Sequence, residues 1–180
     1  VLELYVVRHG QTDWNEKGII CGRTDLPLNR TGERQAQLLA EKLENKGAKI
    51  DLIIVSPLLR AQQTATAVAE RLNIPMETDE RLIEQNFGIY EGVADDNVAF
   101  LRNRHNFAFR YPKGESMMQM AYRLYGFLDA LKERKDKRSV MLVSHGSACR
   151  ILHTYFEDID NEAFYRWKME NSECRRYTLE

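Results

Sequence analysis

The sequence predicts an α/β fold, namely a three-layer α/β/α sandwich with a largely parallel central sheet and helices on both faces. Short apolar runs alternate along the chain with longer segments whose apolar residues recur at helical spacing. This alternation is typical of strands joined by crossover helices, which cover both faces of a parallel sheet. The length of 180 residues fits one domain, 1–180.

The predicted strands are the short apolar runs. The first, VLELYVV, is rich in β-branched residues and leads into Arg8-His9-Gly10. The runs DLIIVS and SVMLVS have the same character and end in Ser56 and Ser144. We expect strands at residues 1–7, 51–56, 76–78, 139–144 and 175–179.

The predicted helices follow from apolar stripes and from signals at their ends. Asn29 or Thr31 can cap a helix that continues to about Lys46, and Gly47 ends it. A second stripe covers 58–72, Ser116 begins a long third helix, and a fourth follows the strand that ends at Ser144.

The composition excludes several classes of protein. A hydrophobic content of 43% is too high for a disordered chain, and 26 basic against 27 acidic side chains give no positive excess for nucleic-acid binding. No apolar run approaches the roughly 18–20 residues that cross a bilayer, and residues 1–7 are too short for a signal peptide. The 3 scattered cysteines indicate a reducing compartment. We therefore expect a cytoplasmic protein without membrane or nucleic-acid partners, and the composition leaves its oligomeric state open.

Polar side chains follow three of the predicted strands. They are Arg8-His9, Ser56 with nearby Arg60, and Ser144-His145. Right-handed crossovers bring the carboxyl ends of parallel strands to one edge of the sheet, and ligands bind beyond that edge. We expect these side chains to lie close together there.

An arginine next to a histidine at a strand end suits an anionic substrate. The guanidinium of Arg8 offers a planar fork to phosphate oxygens, and its charge keeps His9 neutral and able to act as a nucleophile. Gly10 would let the backbone approach a ligand and offer its N–H. The alternative is a strand-terminal histidine whose hydrogen bonds are only structural.

Arg60 lies near the start of its helix, where anions rather than cations are favoured, so a bound anion would explain it. The alternative is an exposed surface arginine. His145 adds a second imidazole, and two histidines with a carboxylate could ligate zinc. Because two arginines in the same pocket would repel a divalent cation, we predict no metal site.

Glu84 and Glu91 are candidate proton donors. A carboxyl buried among Leu82, Ile83 and Phe87 would favour its protonated form, which suits it to protonate a leaving group. The alternative for each is a solvated loop glutamate.

These motifs resemble those of the histidine phosphatase superfamily, the phosphoglycerate mutase-like group, in type, order and position. The motifs are Arg8-His9-Gly10-x-Thr12-x-x-Asn15, Ser56-x-Leu58-x-Arg60-Ala61-x-x-Thr64, Glu84-x-x-x-Gly88-x-x-Glu91-Gly92 and Ser144-His145-Gly146. Weaker matches include Gly22 with Arg23, Pro112-x-Gly114-Glu115-Ser116, Arg150 and Asn171. Ser147 stands where a second glycine is common.

The resemblance implies a phosphoglycerate mutase-like fold and a role for each matched residue. His9 would be the phosphorylated nucleophile and Glu84 the proton donor, whereas Glu91 would be structural. The residues implied to bind the phosphoryl group are Arg8, Asn15, Gly22, Arg23, Arg60, His145 and Gly146. The two arginines and a protonated His145 would do the electrostatic work that magnesium does in other enzymes, without metal or cofactor.

The implied activity is hydrolysis of a small phosphomonoester substrate. Phosphoglycerate mutases of this group are longer and usually carry Arg-His-Gly-Glu-Ser, whereas this chain has Arg8-His9-Gly10-Gln11-Thr12, as do many of the small phosphatases. Two alternatives remain, namely a phosphoglycerate mutase and a catalytically idle phosphate-binding module.

Residues 93–113 are a candidate cap that would determine specificity. Basic and aromatic side chains alternate there: Phe100, Arg102, Arg104, His105, Phe107, Phe109, Arg110, Tyr111 and Lys113. We expect either a cap that contacts an extra anionic or aromatic part of the substrate, or a surface helix whose aromatic rings face the core. A groove for single-stranded nucleic acid is disfavoured because the stretch is short and the chain nearly neutral.

Overall fold

The computed structural model describes residues 1–134 and 136–180, and its centre is a five-stranded sheet. The strands are β1 (Leu2–Arg8), β2 (Leu52–Val55), β3 (Met76–Thr78), β4 (Ser139–Ser144) and β5 (Cys174–Leu179). Their order is β3-β2-β4-β1-β5, and every neighbouring pair is parallel except β1 with β5. The predicted, largely parallel sheet is therefore confirmed, with its antiparallel strand at one edge.

Seven α-helices are present among the described residues. They are α1 (Asp13–Glu16), α2 (Arg30–Asn45), α3 (Leu59–Leu72), α4 (Val98–Arg104), α5 (Met117–Lys132), α6 (Gly146–Thr154) and α7 (Asn161–Arg166). Short 3-10 helices lie at Glu80–Leu82 and Gly88–Tyr90. No helix in the described ranges combines the length and apolar character needed to span a bilayer.

The two faces of the sheet bury different halves of each strand. In β1, Leu4 and Val6 pack on the side that α5 and α6 cover, whereas Tyr5 and Val7 pack against α2 and α3. Successive side chains in a strand point to opposite faces, so a strand covered on both sides must be apolar at nearly every position. This is the three-layer sandwich that the sequence predicts.

The sequence signals located the long helices well. Asn29 is the N-cap of α2 and accepts a hydrogen bond from the Gly32 N–H, and Ser116 forms a capping box with Gln119 at the start of α5. The helix α4 lies in the segment 93–113, for which a surface helix was one of the two expectations. The helices α1 and α7 were not predicted, because with 6 residues or fewer each shows too few turns for an apolar stripe to be recognised.

The strand register brings three chain segments to one edge of the sheet. Arg8 pairs with Ser144 across β1 and β4, and Val55 pairs with Val143 across β2 and β4. All three strands are parallel, so they reach their carboxyl ends together. His9, Ser56 and His145 are the residues that follow.

Candidate active site

The structure brings His9, Arg60 and His145 together at this edge. The ring centroids of the two histidines are 5.1 Å apart. Arg60 lies in the first turn of α3 and is only 1% exposed, so the alternative of a surface arginine is wrong. Neighbouring parallel strands thus place residues from three distant parts of the sequence in one buried cluster.

The hydrogen bonds of His9 define its tautomer. Its Nδ1 lies 2.7 Å from the carbonyl oxygen of Gly10, and its Nε2 lies 3.2 Å from Nε of Arg60. The carbonyl can only accept and the guanidinium can only donate, so the proton is on Nδ1 and Nε2 carries the lone pair. Burial, and then the charges of Arg60 and Arg8, hold the pKa of His9 well below its usual value. His9 is therefore a neutral imidazole.

His145 is also neutral in this structure, whereas the protonated ring is the expectation for the site with a phosphoryl group bound. Its pKa is held well below the usual value by complete burial, then by Arg60 and then by His9. Its Nε2 lies 2.7 Å from Oγ of Ser56, and its buried Nδ1 has no partner. A dianion bound beside this ring would favour its charged form, so protonation of His145 would accompany ligand binding.

The guanidinium of Arg8 has one nitrogen, Nη1, that donates a hydrogen bond and another, Nε, that is buried without a partner. Its Nη1 donates to the carbonyl of Met169 at 2.6 Å, whereas its buried Nε has no partner. A β-carbon built on Gly146 would lie 3.5 Å from that Nε, so the guanidinium lies beside the start of α6. A buried donor without an acceptor costs about 1–3 kcal/mol, and an anion in the cluster would remove that cost.

Glu84 has more polar surroundings than the sequence led us to expect. The side chain is 5% exposed, so it is not a solvated loop glutamate. Its Oε1 accepts from the N–H groups of Gln85 and Ala148, and its Oε2 accepts from the N–H of Ser147 at 3.0 Å. The carboxyl thus binds the first turn of α6, where helix N–H groups lack partners within the helix.

The predicted phosphate-binding residues Asn15, Gly22, Arg23 and Gly146 occupy different places. Asn15 and Gly146 line the cleft above the cluster. Gly22 and Arg23 do not line it. The carbonyl of Gly22 accepts a 2.6 Å hydrogen bond from Nη2 of Arg60. The Arg23 side chain donates to the Glu84 carbonyl and forms an ion pair with Glu115, so it binds protein groups instead of lining the cleft.

The side chains of Thr64 and Asn171 hold the loop that contains His9 and Gly10. The Gly10 N–H, expected to face a ligand, donates instead to Oγ1 of Thr64 at 2.9 Å. Asn171 donates to the His9 carbonyl and to Oδ1 of Asn15. The resemblance had matched Thr64 and Asn171 without assigning them these contacts.

A cleft of about 770 Å³ opens over Arg8, His9 and Glu84. It also contains Arg150, which is 9% exposed and donates from Nε to the Trp167 carbonyl. No role was predicted for Arg150. The sequence spacing of Arg150 from Ser147 could have indicated its place at the cleft. The two residues are three positions apart on α6 and therefore share one face of the helix.

Residues 93–113 form one wall of this cleft. Phe100, Leu101, Arg104 and Tyr111 line it. The Phe100 and Tyr111 rings also stack on each other, 5.7 Å between centroids, within a small apolar cluster. Arg110 instead donates to the Gly114 carbonyl and does not line the cleft. The aromatic rings of the segment thus pack together, as the surface-helix expectation had it, and Arg104 lines the cleft.

The described part of the chain contains no group of three or more His, Cys, Asp or Glu side chains placed to hold a metal ion. The charges of Arg60 and Arg8 act on both His9 and His145, and that of Arg123 also acts on His145. This donor set suits an anion.

Comparison with known proteins gives a family match over almost the whole chain. The sequence model of the histidine phosphatase superfamily (branch 1) matches residues 4–180. A relative from Yersinia pestis (strain Pestoides F), named "Probable phosphoglycerate mutase GpmB", is 35% identical over 183 residues, which cover 98% of this chain and 84% of the relative.

Solved structures share the fold over nearly their full length. The alpha-ribazole phosphatase from Shigella flexneri has a TM-score of 0.84 at 25% identity and covers 97% of this chain and 89% of its own. A mycobacterial glucosyl-3-phosphoglycerate phosphatase, solved with VO3, has a TM-score of 0.84 at 27% identity, covering 98% and 92%. Bacillus stearothermophilus YhfR has a TM-score of 0.86 at 26% identity, covering 98% and 90%.

Proposed function

This chain belongs to the histidine phosphatase superfamily (branch 1), and we propose that it is a metal-independent phosphatase that hydrolyses phosphomonoesters through a phosphohistidine on His9. The observation that carries the proposal is the tautomer of His9. Its Nδ1–H is bound to the Gly10 carbonyl, so the lone pair on Nε2 is directed toward the guanidinium of Arg60. A neutral imidazole beside a fixed cation is suited to attack an anionic phosphoryl group.

The phosphoryl group is held by Arg8, Arg60, Asn15 and His145. Nε of Arg8 and Nδ1 of His145 are the two buried atoms of this cluster that have no protein partner. Asn15 has its amide oxygen engaged by Thr12 and Asn171, which leaves its amide nitrogen as a donor at the cleft. Transfer spreads negative charge over three equatorial oxygens, and these donors stabilise it.

In the first step, the Nε2 lone pair of His9 forms a bond to phosphorus while the bond to the ester oxygen breaks. Glu84 gives its proton to that oxygen, which leaves as an alcohol. In the second step, water attacks phosphorus, passes a proton to the Glu84 carboxylate, and the N–P bond breaks. The lone pair returns to Nε2 and inorganic phosphate leaves.

Glu84 accepts three backbone hydrogen bonds, from Gln85, Ser147 and Ala148, in addition to its proposed role as proton donor. These contacts also give Glu84 a structural task at the start of α6. The presence of Glu84 is therefore compatible with an idle binding module as well as with an enzyme.

The substrate is a small phosphomonoester whose remaining part contacts the cap, residues 93–113. Arg104 and Arg150 line the same cleft, and neither forms an ion pair with a carboxylate in the described ranges. Burial, followed by the charge of Arg104, lowers the pKa of Arg150 to about 10. An anionic group on the substrate would relieve this unfavourable pairing of like charges. We further propose that the reaction takes place in the cytoplasm, a proposal supported by the free state of Cys21, Cys149 and Cys174.

A mutase is the second candidate, because the relatives from Yersinia carry the name of a probable phosphoglycerate mutase. Four solved neighbours carry phosphatase names. A mutase must return the phosphoryl group of His9 to a second hydroxyl before water reaches it. The cleft over His9 is wide and lined by many polar groups, which favours hydrolysis.

The test is a phosphomonoester panel assayed for inorganic phosphate in the presence of a chelator. We expect release that His9→Ala abolishes and that His153→Gln, outside the cleft, leaves intact. An acid-labile phosphate on the wild type during turnover would identify the phosphohistidine. Faster interconversion of phosphoglycerates than phosphate release would favour the mutase, no release from any ester would favour the binding module, and loss with chelator would contradict the metal-free mechanism.

A further inference from the structure

Glu91 is joined to a loop and not to the cleft. Its carboxylate accepts hydrogen bonds from the Arg23 N–H at 2.5 Å, the Thr24 N–H at 2.9 Å and the Thr24 hydroxyl at 2.5 Å. Glu91 is half-buried and is not among the residues that line the cleft. One charged group therefore fixes the backbone of two consecutive residues, which charge-assisted hydrogen bonds do strongly.

The same short loop holds Arg60 from its other side. Nη2 of Arg60 donates to the Gly22 carbonyl at 2.6 Å, and Nη1 donates to the Thr24 carbonyl at 2.8 Å. The remaining guanidinium nitrogen, Nε, donates to Nε2 of His9. Two carbonyl oxygens of the loop thus orient the arginine that faces the nucleophile.

One peptide group connects Glu91 to Arg60. The Gly22 carbonyl and the Arg23 N–H belong to the same planar peptide, which is trans, so they point in opposite directions. Glu91 binds the N–H end and Arg60 binds the carbonyl end. A negative charge at the N–H end polarises the peptide and strengthens its carbonyl as an acceptor.

The position of Gly22 shows how closely this loop fits. A β-carbon there would lie 2.3 Å from Oε1 of Glu91 and 2.3 Å from the Gln85 carbonyl. Contacts that short do not occur, so any larger residue would push the loop away from Glu91. The glycine predicted to bind phosphate instead allows the carboxylate to reach the peptide that orients Arg60.

We propose that Glu91 is a positioning residue that acts through the 22–24 loop to hold the Arg60 guanidinium against His9. Its kinetic consequence rests on the proposed function, whereas its structural consequence does not. Without the carboxylate, the Gly22 and Thr24 carbonyls lose their fixed orientation. Arg60 then loses the two acceptors that keep it beside the nucleophile.

The experiment is an NMR titration of the histidine rings in the wild type, Glu91→Gln and Asp51→Asn. Glutamine keeps the size of the side chain but presents an N–H₂ group to donors that need an acceptor. Arg60 lowers the pKa of both His9 and His145, so both should titrate at higher pH in Glu91→Gln. Arg60 is not among the charges that lower the pKa of His153, so that ring serves as the internal reference.

Asp51→Asn is the matched control, because the Asp51 carboxylate also accepts two backbone N–H groups, from Arg138 and Ser139. Asp51 lies at the opposite end of the sheet, so Asp51→Asn should change the pKa of neither His9 nor His145. Thr24→Val, which removes only the hydroxyl bond to Glu91, should give a smaller shift in the same direction. If Glu91→Gln does not fold, the shift in Thr24→Val tests the role of Glu91 instead.

Kinetics provide the second readout. We expect kcat/KM of Glu91→Gln to fall by about 10- to 100-fold, because misplacement of a binding group has an effect of this size. The acidic limb of its pH–kcat/KM profile should move to higher pH. A folded variant whose His9 and His145 titrate as in the wild type would overturn the inference. If the wild type releases no phosphate from any ester, the proposed function fails, and the titration still tests the role of Glu91.

Discussion

Nε of Arg60 donates a 3.2 Å hydrogen bond to Nε2 of His9, the atom that carries the lone pair. Burial first, and then the charge of Arg60, keep the imidazole neutral, and this hydrogen bond occupies the Nε2 lone pair. In the proposed mechanism, a phosphoryl group must therefore take over this hydrogen bond before Nε2 can reach phosphorus. The guanidinium keeps its contacts with the Gly22 and Thr24 carbonyls, so it can transfer one donor to the phosphoryl oxygens without leaving its place.

Replacement of Arg60 by lysine should therefore disable the site despite the conserved charge. An ammonium cannot bind two carbonyls and the reacting group at once with the planar geometry of the guanidinium. We expect kcat/KM to fall by about 10²–10³-fold, the usual cost of removing a donor that stabilises transition-state charge. Arg71→Lys is the control, because Arg71 lies on the same helix and pairs with Glu41 and Glu44 outside the cleft. Equal activity of the two variants would contradict the role of Arg60.

The buried neutral histidines should make stability depend on pH. The pKa values of His9 and His145 are depressed in the folded protein, whereas an unfolded imidazole titrates near about 6.5. As the pH falls below that value, the unfolded chain binds protons that the folded chain does not, so the free energy of unfolding falls. Below about pH 6.5, each ring lowers the free energy of unfolding by up to about 1.4 kcal/mol per pH unit. Above that pH, neither ring makes the free energy of unfolding depend on pH.

Denaturant unfolding between pH 5 and 8 would measure this effect. His145→Asn removes one of the two rings, so its free energy of unfolding should decline less steeply below about pH 6.5 than that of the wild type. His105→Asn changes an exposed ring and should leave the slope as it is. A wild-type slope retained in His145→Asn would show that His145 is not held neutral by burial.

Binding of an inert dianion should take up a proton. Sulfate stays doubly charged across the neutral range, and its charge beside His145 would raise the pKa of that ring. We expect the dissociation constant for sulfate to decrease as the pH falls from 8 to 6. Calorimetry in buffers of different ionisation enthalpy would count the protons taken up. Arg8→Gln should weaken binding, since it removes the unpaired Nε donor. Binding that neither depends on pH nor takes up protons would contradict the assigned cluster.

The sequence predicted the sheet edge and the cluster at its centre because both depend on regular features. Apolar runs fix where β1, β2 and β4 end, and parallel register then brings His9, Arg60 and His145 together. The contacts of the 22–24 loop could not be predicted in this way, because the loop is irregular and has no repeating pattern in its sequence. Gly22 and Arg23 matched a motif, but only coordinates show that one orients Arg60 and the other contacts Glu84 and Glu115. The neutral state of His145 depends on complete burial, which motif spacing does not reveal.

Arg104 and Arg110 offer a matched test of the cap. Both are cations of the 93–113 segment, but only Arg104 lines the cleft, and Arg110 donates to the Gly114 carbonyl. We expect Arg104→Ala to lower kcat/KM for phosphomonoesters that carry a second anionic group by about tenfold or more, the cost of losing a charged hydrogen bond of about 1.5–3 kcal/mol. Phenyl phosphate, which carries no such group, should be hydrolysed as before.

Arg110→Ala should leave the ratio of the two classes of substrate unchanged, because the lost side chain does not reach the cleft. A double variant with Arg150→Gln separates the contributions of the two cleft arginines. The two guanidiniums repel each other in the free site, so Arg104→Ala alone should raise the pKa of Arg150 while weakening binding of the second anion. If both single variants at 104 and 110 kept the wild-type preference across the panel, the segment would be a wall of the cleft without influence on which phosphate ester it accepts.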